Sequence, residues 1–93
     1  MNGFLNDDAL QSSMDNLKYR EVVIRFHNQN YHIEAYPKKY AIGIFNKKEY
    51  KIDSWIEVEG VSDDDAFDKL MNQPLFDGFA LKDIINDIEW LEG

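Results

Sequence analysis

The chain has 93 residues and a mass of 11.0 kDa, the size of one domain. Hydrophobic residues make up 44% of it and aromatic residues 14%, enough for a core and too much for a disordered chain. There is no cysteine, which excludes disulfides, thiolate zinc sites and cysteine nucleophiles. No apolar run approaches the roughly 20 residues that a membrane-spanning helix needs. No signal peptide is expected at residues 1–8, where no basic segment precedes an apolar stretch, so these features favour a cytoplasmic protein.

Residues 1–18 carry apolar side chains at steps of three to five positions, at Leu5, Ala9, Leu10, Met14 and Leu17. This spacing fits a short amphipathic N-terminal helix, from about residue 7 to residue 16. It fits equally a terminus that one or two apolar side chains anchor.

Residues 19–59 change to a period of two. Four β-rich runs are separated by polar breaks at residues 27–30, 37–39 and 46–48, a pattern typical of an antiparallel meander. We expect one face of this sheet to be buried and the other to carry polar side chains. The expected core comprises Ile24, Ile33, Ile42, Ile44, Ile52, Ile56, Phe67, Leu70, Ile84, Ile85 and Ile88.

Residues 62–92 return to helical spacing. Ser62 is a good N-cap for a helix that Pro74 must end. A turn at Asp77-Gly78 leads to a second helix, predicted from the apolar stripe at residues 81, 84, 85, 88 and 91. The sequence therefore predicts a single α+β domain over residues 1–93, a four-stranded antiparallel sheet with two C-terminal helices packed on one face.

Charge divides the chain into two parts. Residues 1–56 hold seven acidic and eight basic side chains, whereas residues 57–93 hold eleven acidic and only two basic ones, Lys69 and Lys82. The net charge of −8 is therefore concentrated on the predicted helical layer, residues 62–92. In the predicted helices, Asp64 and Asp68, and likewise Asp83 and Asp87, are i, i+4 pairs of like charge. Each such pair costs a helix about 0.2–0.5 kcal/mol.

This acidic layer is the candidate partner-binding surface. Acidic side chains also keep small domains in solution and stabilise first helical turns, so a purely solubilising face is the alternative. Trp90, lying off the apolar stripe, either covers the edge of the core or is an exposed anchor for a partner. The candidate partner-binding residues are Asp63, Asp64, Asp65, Asp68, Asp83, Asp87, Glu89 and Trp90.

Catalysis, metal binding and cofactors are not indicated. Asp63–Asp65 run directly into the helical stripe and lack the alternating acids and central glycine of a calcium loop. His27 and His32 are the only histidines, and we interpret both as surface hydrogen-bonding groups. Neither a nucleophile motif nor a phosphate-binding glycine loop is present, so we expect a non-enzymatic protein with no cofactor.

An acidic face can bind a basic protein surface, including one that normally holds nucleic acid. In size, acidity and lack of catalytic motifs, the chain resembles small phage-encoded DNA-mimic inhibitors of restriction and CRISPR nucleases. The resemblance rests on charge and length and implies no individual residue. Residues with A/T-rich codons outnumber those with G/C-rich codons by 39 to 14, which favours an A/T-rich genome, such as that of many Gram-positive bacteria, their plasmids and their phages.

Three alternatives remain open. The chain could be an accessory protein-interaction module of a bacterium with a merely solubilising acidic face. It could instead bind single-stranded nucleic acid through tyrosines and lysines of the sheet, although the net charge of −8 opposes direct nucleic-acid binding. Finally, Lys-rich turns could meet the acidic helices of a second copy and form a homodimer.

Overall fold

A computed structural model describes residues 7–92. In chain order the elements are α1 (Asp7–Tyr19), β1 (Glu21–Phe26), β2 (Gln29–Tyr36), β3 (Lys39–Asn46), β4 (Lys51–Glu59), α2 (Asp63–Asn72), α3 (Leu81–Ile84) and β5 (Glu89–Glu92). The α+β class is confirmed, and so is an N-terminal helix, which extends three residues beyond the expected end at residue 16. No helix within residues 7–92 is long and apolar enough to cross a membrane.

The sheet has five antiparallel strands in the order β4-β3-β2-β1-β5. Strands β1 to β4 form the predicted meander. His27 and Asn28, both with positive φ, make the two-residue turn between β1 and β2, and this geometry matches the right-handed twist of the paired strands. Pro37 and Lys38 form the next turn, in which Lys38 has a φ of 58°.

The helices cover one face of the sheet, which we call the helix side; the other is the open face. The predicted side chains at positions 24, 33, 42, 70, 84 and 88 are buried, whereas those at 44, 52, 56, 67 and 85 are only half-buried. Leu17 brings α1 into the core, and Ala66 and Leu70 bring in α2. Phe76 is fully buried, with its ring edge-on to that of Tyr31 at 5.1 Å between centroids.

The predicted final helix is wrong beyond its first turn. Helix α3 ends at Ile84, a turn follows in which Asp87 N–H donates to the Ile84 carbonyl at 2.8 Å, and β5 then pairs with β1. An amphipathic stripe cannot reveal that the outer edge of β1 has backbone groups to satisfy, and pairing β5 there satisfies them. The sheet therefore has five strands where four were expected.

Candidate functional site

The structure distributes the candidate acidic residues over three places. Asp63, Asp64 and Asp65 form the first turn of α2. Asp68, Asp83 and Asp87 are exposed on the outer surface of the helical layer. Glu89 and Trp90 belong to the edge strand β5, so the eight predicted residues do not form one helical face.

The first turn of α2 is held by internal contacts. Ser62 is the predicted N-cap, and its hydroxyl accepts a hydrogen bond from Asp65 N–H at 3.1 Å. Asp63 Oδ1 accepts from the backbone N–H of Lys38 at 2.7 Å, and Asp64 Oδ1 lies 3.2 Å from Lys18 Nζ. Two of the acids thus fasten α2 to the β2–β3 turn and to the end of α1, a structural role.

Asp65 makes two contacts of its own. Its Oδ2 accepts from Val61 N–H at 2.9 Å and lies 3.2 Å from Lys69 Nζ. The hydrogen bond from Val61, followed by that from Lys69, holds the pKa of the Asp65 carboxyl below its ordinary value of 3.8. The folded state therefore binds fewer protons here than the unfolded state does in the acid range.

Asp65→Asn tests this contribution. A lowered pKa stabilises the folded state fully above the ordinary value, and the contribution is lost as pH falls through the folded value. We expect the variant to melt at a lower temperature than the wild type at pH 7, and the difference to shrink towards pH 2. The control is Asp68→Asn on the same helix, which should melt at nearly the same temperature as the wild type throughout this pH range. A constant difference for Asp65→Asn in thermal melts would show that the effect is unrelated to ionisation.

Asp68, Asp83 and Asp87 form the second group, which we call the outer aspartates. All three are exposed, and their carboxylates make no hydrogen bond or ion pair with any other described residue. Because α3 ends at Ile84, Asp83 and Asp87 are not the i, i+4 pair on one helix that the sequence predicts. They remain solvated charges on the helical layer.

Trp90 is a core residue and not an exposed anchor. It lies opposite Ile24 in the β1–β5 register and is only 9% exposed. Glu89 lies opposite Arg25 on the same two strands. The sequence left two interpretations of Trp90 open, and the one in which its side chain covers the edge of the core is confirmed.

A groove not expected from the sequence lies between the end of α1, the β2–β3 turn and the start of α2. It has a volume of about 520 Å³, and Lys18, Tyr19, Tyr36, Tyr40, Asp63 and Asp64 are among its lining residues. We call it the tyrosine groove. Tyr19 is 70% exposed at one wall of the groove, and Tyr40 is buried. The Tyr36 ring itself lies on the open face, where its hydroxyl donates to Glu34 Oε1 at 2.6 Å.

Lys18 is the cation that already occupies part of this groove. Its Nζ lies 5.6 Å from the centroid of the Tyr19 ring and 5.4 Å from that of the Phe67 ring. The hydrogen bond to Asp64 is the main cause that raises the pKa of Lys18 above 10.5. Tyr40 Oη donates to the Lys18 carbonyl at 2.7 Å, and burial raises the pKa of Tyr40 to about 12. The groove thus holds an ammonium between aromatic rings and a carboxylate.

The open face of the sheet combines aromatic side chains with paired charges. Trp55 is 47% exposed and lies over Gly43, where an added Cβ would come within 2.9 Å of the Trp55 ring. Lys39 Nζ lies 3.3 Å from Glu57 Oε2 and 5.0 Å from the centroid of the Tyr36 ring. The charge of Lys39, which lies within this aromatic surface, is therefore balanced by a carboxylate.

One of the two histidines joins two turns at the surface. His27 Nδ1 lies 2.7 Å from Asp77 Oδ2 at the surface, and this contact joins the β1–β2 turn to the Asp77-Gly78 turn. No group of three or more His, Asp or Glu side chains in the described part of the chain comes together as metal ligands.

Comparisons with protein-family models, curated proteins and solved structures find no match to this chain.

Proposed function

We propose that this chain is a non-enzymatic binding domain that docks the outer aspartates onto a basic surface of another protein. The observation that supports this best is the contrast between two sets of acids. Those that begin α2 have partners within the fold, whereas Asp68, Asp83 and Asp87 are exposed and have none among the described residues. Exposed carboxylates without such partners contribute little to holding the domain together, so a cationic partner is the simplest reason to keep them.

The overall charge reinforces this local contrast. Residues 57–93 carry eleven acidic and two basic side chains, so the helical layer attracts positive surfaces over about one Debye length. Such attraction raises the rate of encounter and weakens steeply with salt. A basic partner would therefore be recognised first by charge and then by local contacts.

More specifically, we propose that the partner's basic surface is a nucleic-acid-binding groove. The protein would then be an inhibitor of a nuclease or a related enzyme. Competition decides between this form and a general protein-interaction module. If the domain and nucleic acid bind the same surface of the partner, a DNA or RNA oligonucleotide that the partner binds should displace the domain. If they do not, the domain and the oligonucleotide bind the partner together.

Binding of single-stranded nucleic acid through the sheet is the less favoured alternative. Tyr40, one of the tyrosines of the sheet, is buried on the helix side and cannot stack on a base. Lys39 and Lys51 both have carboxylate partners, Glu57 and Glu49. We expect no retardation of DNA or RNA by the purified protein at moderate salt, because its charge of −8 opposes phosphate. Micromolar binding of an oligonucleotide would reverse this preference.

Charge reversal tests the proposal. Proteins captured from a bacterial lysate are identified, and the affinity of each is measured for the wild type and for a variant with Asp68→Lys, Asp83→Lys and Asp87→Lys. We expect at least about tenfold weaker binding at low salt, since three exposed charge contacts contribute about 0.5 kcal/mol each. Stability should be unchanged or slightly higher, because Asp68→Lys removes the repulsion between Asp64 and Asp68, which are an i, i+4 pair on α2.

The matched control reverses Asp15, Asp53 and Glu59, three exposed acids outside the outer aspartates. Both variants change the net charge from −8 to −2. The control also removes the hydrogen bonds that Asp15 accepts from Gln11 and Asp53 accepts from Asn46, so a thermal melt must show that it is folded. An equal loss in the control would indicate attraction by total charge alone. Undiminished binding by the first variant would contradict the proposal and leave the acidic layer with a solubilising role.

A further inference from the structure

We propose that the open face of the sheet binds the open face of a second copy of this chain, so that the two sheets pack face to face in a two-fold symmetric dimer. Within residues 7–92 the helices cover only the helix side. The outer aspartates lie on the helical layer, away from the open face, so this interface is independent of the proposed function.

One end of the open face has a hollow. It has a volume of about 330 Å³, and Tyr36, Ala41 and Trp55 are among its lining residues. Tyr36 and Trp55 are each 47% exposed, whereas Ala41 is 6% exposed. Because alanine is small, no side chain of β3 fills the space between the two large rings. The hollow can therefore receive a side chain from outside the domain.

The other end of the open face has an aromatic ridge. The Phe45 ring is edge-on to that of Tyr50, with 5.4 Å between the centroids, and Ile52 lies opposite Phe45 in the β3–β4 register. Tyr50 is 84% exposed. Solvent faces of antiparallel sheets usually carry polar side chains, and contiguous exposed apolar side chains mark interaction surfaces.

The ridge and the hollow are placed symmetrically about Gly43. Ala41 and Phe45 are each two residues from Gly43 along β3, a distance of about 7 Å. A two-fold axis near Gly43, perpendicular to the strands, therefore puts the ridge of each copy over the hollow of the other. Each contact then occurs twice, with the inward side chains of two sheets interdigitating about 10 Å apart.

The hollow end of the face is acidic. Glu34 and Glu57 line the hollow, and Glu21 lies opposite Glu34 in the β1–β2 register. Lys39 lies 3.3 Å from Glu57 and balances only one of these three carboxylates. Phosphates are repelled by this end, which argues against nucleic acid as the occupant.

The ridge end carries the opposite charge. Arg25 lies at this end of β1, opposite Glu89, and the adjoining β3–β4 turn contributes Lys47 and Lys48. In the two-fold arrangement these bases meet the acidic hollow end of the second copy. Shape and charge on this face thus both complement the face itself, which favours a second copy as the occupant.

The dimer is expected to be weak. Each copy carries a net charge of −8, which opposes association, so we expect a dissociation constant of about 10–100 μM. At the lower concentrations that suit fluorescence and thermal melting, the chains are then single and Trp55 is accessible.

Sedimentation equilibrium of the full chain tests association. From about 10 to 500 μM, the apparent mass should rise from the 11.0 kDa of one chain towards twice that value. Tyr50→Glu should weaken the dimer at least about tenfold, because it places a charge against the acidic hollow. The matched control is Val61→Glu, which changes a side chain that is also 84% exposed but lies outside the sheet. A mass of one chain throughout, or equal weakening by both substitutions, would overturn the proposal.

A charge exchange tests the orientation of the two copies. Arg25→Glu should weaken the dimer about two- to fivefold, and adding Glu21→Arg should restore it, because each exchanged charge again faces its opposite in the second copy. Arg25→Glu with Asp68→Arg has the same net charge and should not recover. Recovery in both double variants, or in neither, would refute the two-fold arrangement.

NMR on a mixture of isotope-labelled and unlabelled chains locates the interface directly. We expect contacts between copies from the rings of Phe45 and Tyr50 to the methyl group of Ala41. Contacts between the Lys-rich turns and the helical layer would instead show the other mode of self-association and would overturn the proposal.

Discussion

Replacing Gly60 by alanine is expected to lower the free energy of unfolding by about 3 kcal/mol. Gly60 joins β4 to α2, and its N–H donates to the Lys38 carbonyl at 2.9 Å. A Cβ at this position would lie 2.4 Å from the backbone nitrogen of Ala66 and 2.8 Å from its Cα. Backbone cannot yield as a flexible side chain does, so the first turn of α2 must move away from the end of β4. Overpacking of this kind costs about 1–3 kcal/mol, and disturbing the Ser62 cap adds about 1 kcal/mol.

Thermal unfolding followed by circular dichroism measures the effect, which for a domain of this size is a drop of roughly 12 °C or more. Gly78→Ala is the matched control. An added Cβ at Gly78 meets nothing within 4 Å, although its φ of +83° makes any other residue mildly strained. That variant should cost only about 1 kcal/mol. If Gly78→Ala were the more damaging change, the close packing of β4 against the start of α2 would be refuted.

The meander could be predicted because its signals are local. Alternation of apolar and polar side chains fixes which residues face the core, and short polar breaks mark the turns. The start of α2 could also be predicted, because Ser62 and the acids after it are a capping pattern. Its length is limited by Pro74. These features need no knowledge of distant residues.

The last strand could not be predicted, because its cause is distant. The apolar positions 81, 84, 85, 88 and 91 satisfy a helical period, yet β5 forms because the edge of β1 is available to it. Tertiary pairing overrides the local pattern here. The four residues of β5, Glu89–Glu92, do not alternate between polar and apolar side chains, so they give no local strand signal.

The sequence predicts where the acidic charge is concentrated, but it does not predict which carboxylates have partners within the fold. Counting acids shows where the charge lies, but partners that come from 25 positions away, as Lys38 does for Asp63, are invisible in the sequence. The same limit hid the tyrosine groove, which Tyr19, Tyr40 and Asp63 form from three separate elements. Only the fold distinguishes acids that hold the domain together from acids that remain available to a partner.

Truncating Trp90 to alanine is the second change with a large expected effect, about 3–5 kcal/mol of unfolding free energy. Trp90 is in the core cluster and attaches β5 to β1 opposite Ile24, so its loss leaves a cavity and loosens the edge strand. The matched control is Trp55→Ala. Because Trp55 is about half exposed on the open face, its removal should cost roughly 1 kcal/mol.

Fluorescence distinguishes the two tryptophans in the folded state. Trp90, retained in Trp55→Phe, should emit at shorter wavelength and resist quenching by acrylamide, whereas Trp55, retained in Trp90→Phe, should be readily quenched. The opposite order of stabilities or of quenching would indicate that residues 85–92 leave the sheet and continue α3 as a helix. In that arrangement Trp90 would lie off the apolar stripe, and Asp83 and Asp87 would be the i, i+4 pair on one helix that the sequence predicts. The pair of tryptophan variants therefore tests the edge strand and, through it, the arrangement of the outer aspartates on which partner binding is proposed to depend.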